Sequence, residues 1–169
     1  RQNLPTLDRT QFASAEGVQR GAYVLADLGE GKPEVILMAS GSEVSLIVEA
    51  GQRLAELGRA VRLVSFPSWE LFAEQEQAYQ DSVLLPEVRA RVAVEAGVGQ
   101  GWRQWVGDQG RILAIDRFGA SAPGEVVFKM FGFTPEHVVE LALEVLAVLQ
   151  SHGIEISQNM ALKGRQENE

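Results

Sequence analysis

Val35-Ile36-Leu37-Met38 is a short, unbroken apolar run, the pattern of a strand buried on both faces of a parallel sheet rather than one with a wet face. The chain then turns at Ser40-Gly41. Ser42 is the expected N-cap of a helix, because its oxygen can accept one of the unpaired N–H groups of a first turn. Val44, Ile47, Ala50, Leu54 and Leu57 recur at three- and four-residue steps, so one stripe of that helix is apolar. Gly58 is its expected stop, since a left-handed residue costs least there as glycine. Val61 to Phe66 reads as a second strand, and strand, helix, strand with short joints makes a right-handed parallel crossover. The class is α/β.

The rest of the chain extends this unit. Residues 1–20 show no period and read as an arm or linker. Gly21 to Leu28 is a first strand, ended by the turn cluster Gly29 to Pro33. It should run antiparallel to the next strand, because the joint is too short for a crossover. Ser68 is placed to cap a helix starting at Trp69, and the stretch to Pro86 reads as one or two short helices. Arg91 to Ala96 and Arg111 to Asp116 are further strands. Between them, Gly97 to Gly101 turns into a short helix carrying Trp102 and Trp105. Pro123 to Phe131 is a helix stopped by Gly132. Thr134 and Pro135 open the longest helix as N-cap and first residue, with Val138, Leu141, Ala142, Val145 and Leu149 on one stripe. The expected organisation is an arm over 1–20, a single α/β domain over 21–153 and a polar tail over 154–169.

A chain of 169 residues can bury one ordinary core unaided. It has no cysteine, which excludes disulfide and thiolate chemistry and is compatible with a cytoplasmic location. No apolar run approaches the ~20 residues that span a bilayer, and the first residues lack the apolar core of a secretory signal, so the chain reads as soluble. A formal charge of -8 would repel a phosphate backbone, which argues against nucleic acid as a partner.

Candidate chemistry is sparse. Gly97-Val98-Gly99-Gln100-Gly101-Trp102 lies between a strand and a helix, as a dinucleotide fingerprint does, but its third glycine position holds Trp102. Ser40-Gly41-Ser42-Glu43 could turn free N–H groups toward an anion, yet Glu43 would compete for that field. It also lacks the second glycine of a nucleophile elbow. Glu95 and Asp116 end strands where open α/β sheets place ligands, and each could equally cap the following turn. His137 and His152 share one helix but stand too far apart to hold a metal together.

Several stretches in linear order resemble the C-terminal third of transketolase. They are Arg1-Gln2-Asn3-Leu4-Pro5, Arg20 to Leu25, Ala39 to Val44, Val64 to Ser68, Tyr79 to Pro86, Arg91 to Gly97, and Phe118 to Pro123 followed by Phe131 to Thr134. The resemblance covers residues 1 to about 150. It implies a three-layer α/β/α domain with a five-stranded mixed sheet in the order 1-3-2-4-5, the first strand antiparallel. It also implies membership of a homodimeric enzyme that moves a two-carbon ketol unit from a ketose phosphate to an aldose phosphate. In that family thiamine diphosphate and a divalent metal, magnesium or calcium, are held by upstream domains, through a Gly-Asp-Gly…Asn motif absent here. The ring-activating glutamate also lies upstream, so no catalytic residue and no bound cofactor is expected in this chain. One residue carries over: Arg1 matches the family's sugar-phosphate-binding arginine, a task that suits a permanently charged, bidentate guanidinium. Two other readings stand beside this one. The chain could be the equivalent lobe of a 2-oxo-acid dehydrogenase E1 β chain or deoxyxylulose phosphate synthase, against which Arg1 to Pro5 argues. It could also be a stand-alone nucleotide or regulatory ligand module.

Overall fold

The computed structural model describes residues 4–154. Its sheet contains β1 (Tyr23–Leu28), β2 (Val35–Ala39), β3 (Val61–Ser65), β4 (Ala90–Val94) and β5 (Arg111–Leu113), in the spatial order β1-β3-β2-β4-β5. β2 pairs in parallel with β3 on one side and β4 on the other, and β5 lies parallel to β4. β1 is antiparallel to β3. The expected strand order and the reversed first strand are both present. The short joint after β1 does reverse the chain direction, but the hydrogen-bonded partner of β1 is β3, not β2. All five residues of β2 are buried, and such a strand takes an interior place between two parallel neighbours, which leaves β1 an edge.

Six helices cover the two faces: α1 (Val44–Glu56), α2 (Trp69–Ala73), α3 (Gln77–Leu84), α4 (Arg103–Val106), α5 (Gly124–Met130) and α6 (Pro135–Ser151). Alternation along β2 sends Val35, Leu37 and Ala39 into a core with Ile47 and Leu54 of α1 and Val138, Val145 and Leu146 of α6. Ile36 and Met38 face the other way, into Phe66, Phe72, Trp102 and Trp105. The path explains the layering. α1 carries the chain from β2 to β3, and the return from β3 over β2 to β4 runs the opposite way across the sheet. Two right-handed crossovers of opposite sense must lie on opposite faces.

Capping follows the sequence at two helices. Ser68 accepts from the Leu71 N–H and Thr134 from the His137 N–H, with Pro135 opening α6. Elsewhere the reading needs correction. Ser42 is not the cap of α1. It lies inside a 3₁₀ turn, Gly41–Glu43, whose N-cap is Ser40, and its hydroxyl is turned to the Glu43 carboxylate. Leu57 leaves the apolar stripe as the C-cap of α1 and is 62 % exposed. β4 and β5 end at Val94 and Leu113, earlier than their apolar runs suggested. The chain still stays in register beyond them, because the Glu95 N–H donates to Leu113 O and the Ile115 N–H to Gly97 O. The described part of the arm is not bare: Phe12 is buried in the core and the Ala13 N–H donates to Leu25 O.

One arginine ties three elements together. Arg91, on β4, donates to the carbonyls of Val88, Trp105 and Leu84, each at 2.9 Å, and to Leu85 O at 3.3 Å. Leu85 ends α3 with a left-handed backbone, φ 44°, and Arg91 donates to the Leu84 and Leu85 carbonyls there, the latter also accepting from the Val88 N–H. Burial lowers the guanidinium's pKa, yet an arginine stays charged where a lysine would readily lose its proton. Arg91→Lys is expected to cost about 1–3 kcal/mol, because a single ammonium cannot reach this spread of acceptors. Urea unfolding of the two proteins measures it, and equal midpoints would show the fork to be dispensable.

Candidate functional site

The sheet has its switch point between β2 and β4, where successive crossovers leave in opposite directions, and ligand crevices of open α/β sheets lie outside the strands' carboxyl ends there. Two segments meet at this point: Ser40 to Glu43 after β2, and Glu95 to Gly97 after β4. The meeting is between carboxylates. Glu95 Oε2 accepts from Ser40 Oγ at 3.3 Å and from the Trp102 indole N–H, also at 3.3 Å. Glu43 is only 4 % exposed and accepts from Ser42 Oγ at 2.5 Å. Burial holds the Glu43 carboxyl above the usual carboxylate range and the negative charge of Glu95 adds to the rise, while Ser42 and the backbone N–H groups of Glu43 and Ala96 pull the other way.

The other candidates separate from this pair. Asp116 is exposed and caps the glycine turn, its carboxylate accepting from the Gly99 N–H at 3.0 Å. The glycines of that turn serve packing: a Cβ on Gly101 would lie 2.0 Å from the Trp69 ring, and one on Gly99 2.9 Å from Ala114 Cβ. His137 has its Nδ1 2.9 Å from Gly132 O, within its own helix start, and His152 is the C-cap at the far end of α6. Among the described residues no group of three or more His, Cys, Asp or Glu side chains could hold a metal ion, and no helix is long and apolar enough to cross a membrane. Arg1 lies outside the described residues. Sequence reading missed the indole of Trp102 as a partner of Glu95 and the hydroxyl of Ser40 as a tether across 55 positions. Nothing local announces either contact, because both depend on which strand ends the topology brings together.

Two carboxylates at the switch point, one of them buried, oppose a phosphate group that bare N–H groups would attract. The surroundings are those of a stitched joint between two strand ends.

The Transketolase-like TK C-terminal domain family matches residues 21–134. The chain belongs to that family. It is 50% identical over 139 residues to the transketolase of Geobacillus stearothermophilus, which covers 82% of this chain and 21% of that protein. To the transketolase of Aquifex aeolicus it is 48% identical over 144 residues, covering 85% of this chain and again 21% of the relative. The solved structure of Pichia stipitis transketolase in complex with sedoheptulose 7-phosphate superimposes with a TM-score of 0.77 at 35% identity, over 89% of this chain and 21% of that one. The chain thus spans about a fifth of the length of these relatives. As a transketolase C-terminal domain it carries Glu43 within Ser40-Gly41-Ser42-Glu43-Val44 and Glu95 within Val94-Glu95-Ala96-Gly97.

The raised Glu43 carboxyl has a pH consequence with a definite sign. A folded-state value above the unfolded one, near 4.3, means that the native state holds the proton more tightly, so this residue costs stability as pH rises beyond that value. Glu43→Gln removes the charge and keeps an acceptor for Ser42. Its melting temperature relative to the parent should rise between pH 4 and pH 8, as read by thermal unfolding of both proteins across that range. A difference that does not change with pH would show that Glu43 ionises freely.

Proposed function

We propose that this chain is the C-terminal lobe of a homodimeric transketolase that transfers a two-carbon ketol unit from a ketose phosphate to an aldose phosphate in the pentose phosphate pathway of the cytoplasm. The observation that carries this reading is the 50% identity to the Geobacillus stearothermophilus transketolase over 82% of the chain. In this reading residues 21–153 form the lobe, 1–20 are the arm that joins it to the preceding domain, and 154–169 are a polar tail. The lobe supports the dimer or a regulatory contact rather than the chemistry.

Thiamine diphosphate and its divalent metal would supply the carbanion chemistry of such an enzyme. The described residues do not fit that cofactor: they offer no metal-ligating group, and Glu43 and Glu95 stand at the switch point, where a diphosphate would need positive charge. We assign the cofactor to the part of the enzyme outside this lobe. Arg1 is assigned to the sugar phosphate, where a charge-assisted, bidentate contact suits a guanidinium. The Pichia stipitis structure with sedoheptulose 7-phosphate shows that a relative takes a phosphorylated ketose, which supports the substrate class.

Two experiments test this. The 169-residue chain incubated with thiamine diphosphate and magnesium is expected to turn over no xylulose 5-phosphate with ribose 5-phosphate. A chimera in which it replaces the matched region of the Geobacillus stearothermophilus enzyme is expected to do so. Turnover by the chain alone would overturn the assignment of the cofactor, and a folded chimera without turnover would overturn the transketolase reading. In the active chimera, Arg1→Ala should raise KM for phosphorylated substrates roughly ten- to a hundredfold, the effect of losing a charge-assisted contact. Unphosphorylated analogues should barely change, and an equal effect on both sets would remove Arg1 from the phosphate site.

A further inference from the structure

The amino end of the sheet carries a hollow of about 310 Å³ whose lining is of two kinds. Val88, Ala90 and Leu149 form an apolar floor and are buried, while Pro33, Leu85 and Ile154 stand around it only half-buried. The rest of the wall is charged. Two of these groups are already used within the lobe. Glu34 accepts from the Ala60 N–H at 3.2 Å and pairs with Arg59 at 3.5 Å, and Arg62 pairs with Asp27 at 2.8 Å and donates to Ser82 O. Lys32 and Arg89, both exposed at the rim, have no ion-pair partner among the described residues. One rim carboxylate, Glu87, stands against these two cations, so the unpaired charge is positive.

The end of α6 delivers the chain to this place. Gly153 has a left-handed backbone, φ 70°, its N–H donates to Gln150 O at 3.0 Å, and the Ile154 N–H donates to Leu149 O at 3.1 Å. These two bonds make a Schellman turn, in which the residue after the glycine packs back onto the last turn of the helix. Ile154 and Leu149 accordingly line the hollow together. The next two residues in the sequence are Glu155 and Ile156. Along an extended chain the side chain of residue 156 would return to the face of residue 154, with 155 on the other face, and the two residues advance only about 7 Å.

We infer that Glu155 and Ile156 close this hollow from the same chain, Ile156 seated on Val88, Ala90 and Leu149 beside Ile154, and the Glu155 carboxylate directed to Lys32 and Arg89. Three observations select this occupant. The Schellman turn already brings Ile154 into the lining, so the residues that follow are tethered at the mouth at high effective concentration. A hollow of about 310 Å³ stands at the lower limit of ligand pockets, ~300 Å³, and suits an aliphatic side chain better than a whole small molecule. The unpaired rim charge is opposite in sign to residue 155. The tail's first residues then act as a latch that fastens the end of α6 to the segments leading into β2 and β4.

The chain has no cysteine, so disulfide trapping can read the contact without interference. Glu87→Cys and Ser157→Cys are introduced together into the 169-residue chain, and their oxidation to a disulfide by oxidised glutathione is followed by mass spectrometry, with Ile156 kept and with Ile156→Asp. Trapping is expected to slow about tenfold or more on Ile156→Asp, the effect of losing one buried aliphatic side chain. Ile156→Val should restore most of the rate, which shows that the slow variant is folded and lacks only the seated group. Equal rates with Ile156 and with Ile156→Asp would mean that proximity comes from the tether at Ile154 alone, and would overturn the latch. The absence of any disulfide with Ile156 in place also overturns it. A disulfide found mainly between two chains, at a rate that grows with concentration, gives the hollow to the tail of a second copy and overturns the proposal as well.

Discussion

Everything in this lobe depends on a strand that has no wet side. β2 is buried along its whole length, so it must be covered above and below and hydrogen-bonded on both edges. Those demands fix the rest: parallel partners on each side, crossovers of opposite sense, and one helical layer on each face. α1 and α6 fill one layer with aliphatic side chains, and the other is filled mainly by Phe66, Phe72, Trp102 and Trp105 in edge and tilted ring contacts. Aromatic packing suits that face because α2 and α4 are only five and four residues long and large rings cover area that short helices cannot.

Much of the fold was legible in the amino-acid pattern. The apolar run at Val35 to Met38, the helical stripe from Val44 to Leu54, and the caps at Ser68 and Thr134 each appear where local chemistry puts them, and the strand order followed from the family resemblance. The errors fall at the ends of elements. Ser42 has the composition of an N-cap, but a local cap preference is weak beside a tertiary partner, and a buried glutamate next to it claims the hydroxyl. Leu57 fits the stripe by spacing and falls one residue past the last full turn, where the helix axis no longer holds it over the sheet. The partner of β1 came with the strand order that the resemblance implied, not from local pattern: direction follows from a joint's length, whereas neighbourhood depends on which strand is left with an open edge.

The candidate site was legible as a location and not as an arrangement. Topology put Ser40 to Glu43 beside Glu95 to Gly97, and the residue types warned of two carboxylates. The tethers that turn the place into a joint, Ser40 and Trp102 onto Glu95, join positions with no sequence relation. An indole N–H and a hydroxyl on one carboxylate oxygen, with a second carboxylate buried beside it, make a polar junction that joins the two strand ends.

β5 is only three residues long and stands at one edge of the sheet, while β1 at the other edge breaks register between Val24 and Ala26. Neither edge presents a long, regular row of free N–H and C=O groups, so neither is a good template for another strand. Growth of the sheet across molecules is thereby discouraged at both ends. Recognition by this lobe must run through side chains on its helices and loops, where shape and hydration discriminate between partners, instead of through a backbone ladder that would accept almost any extended segment.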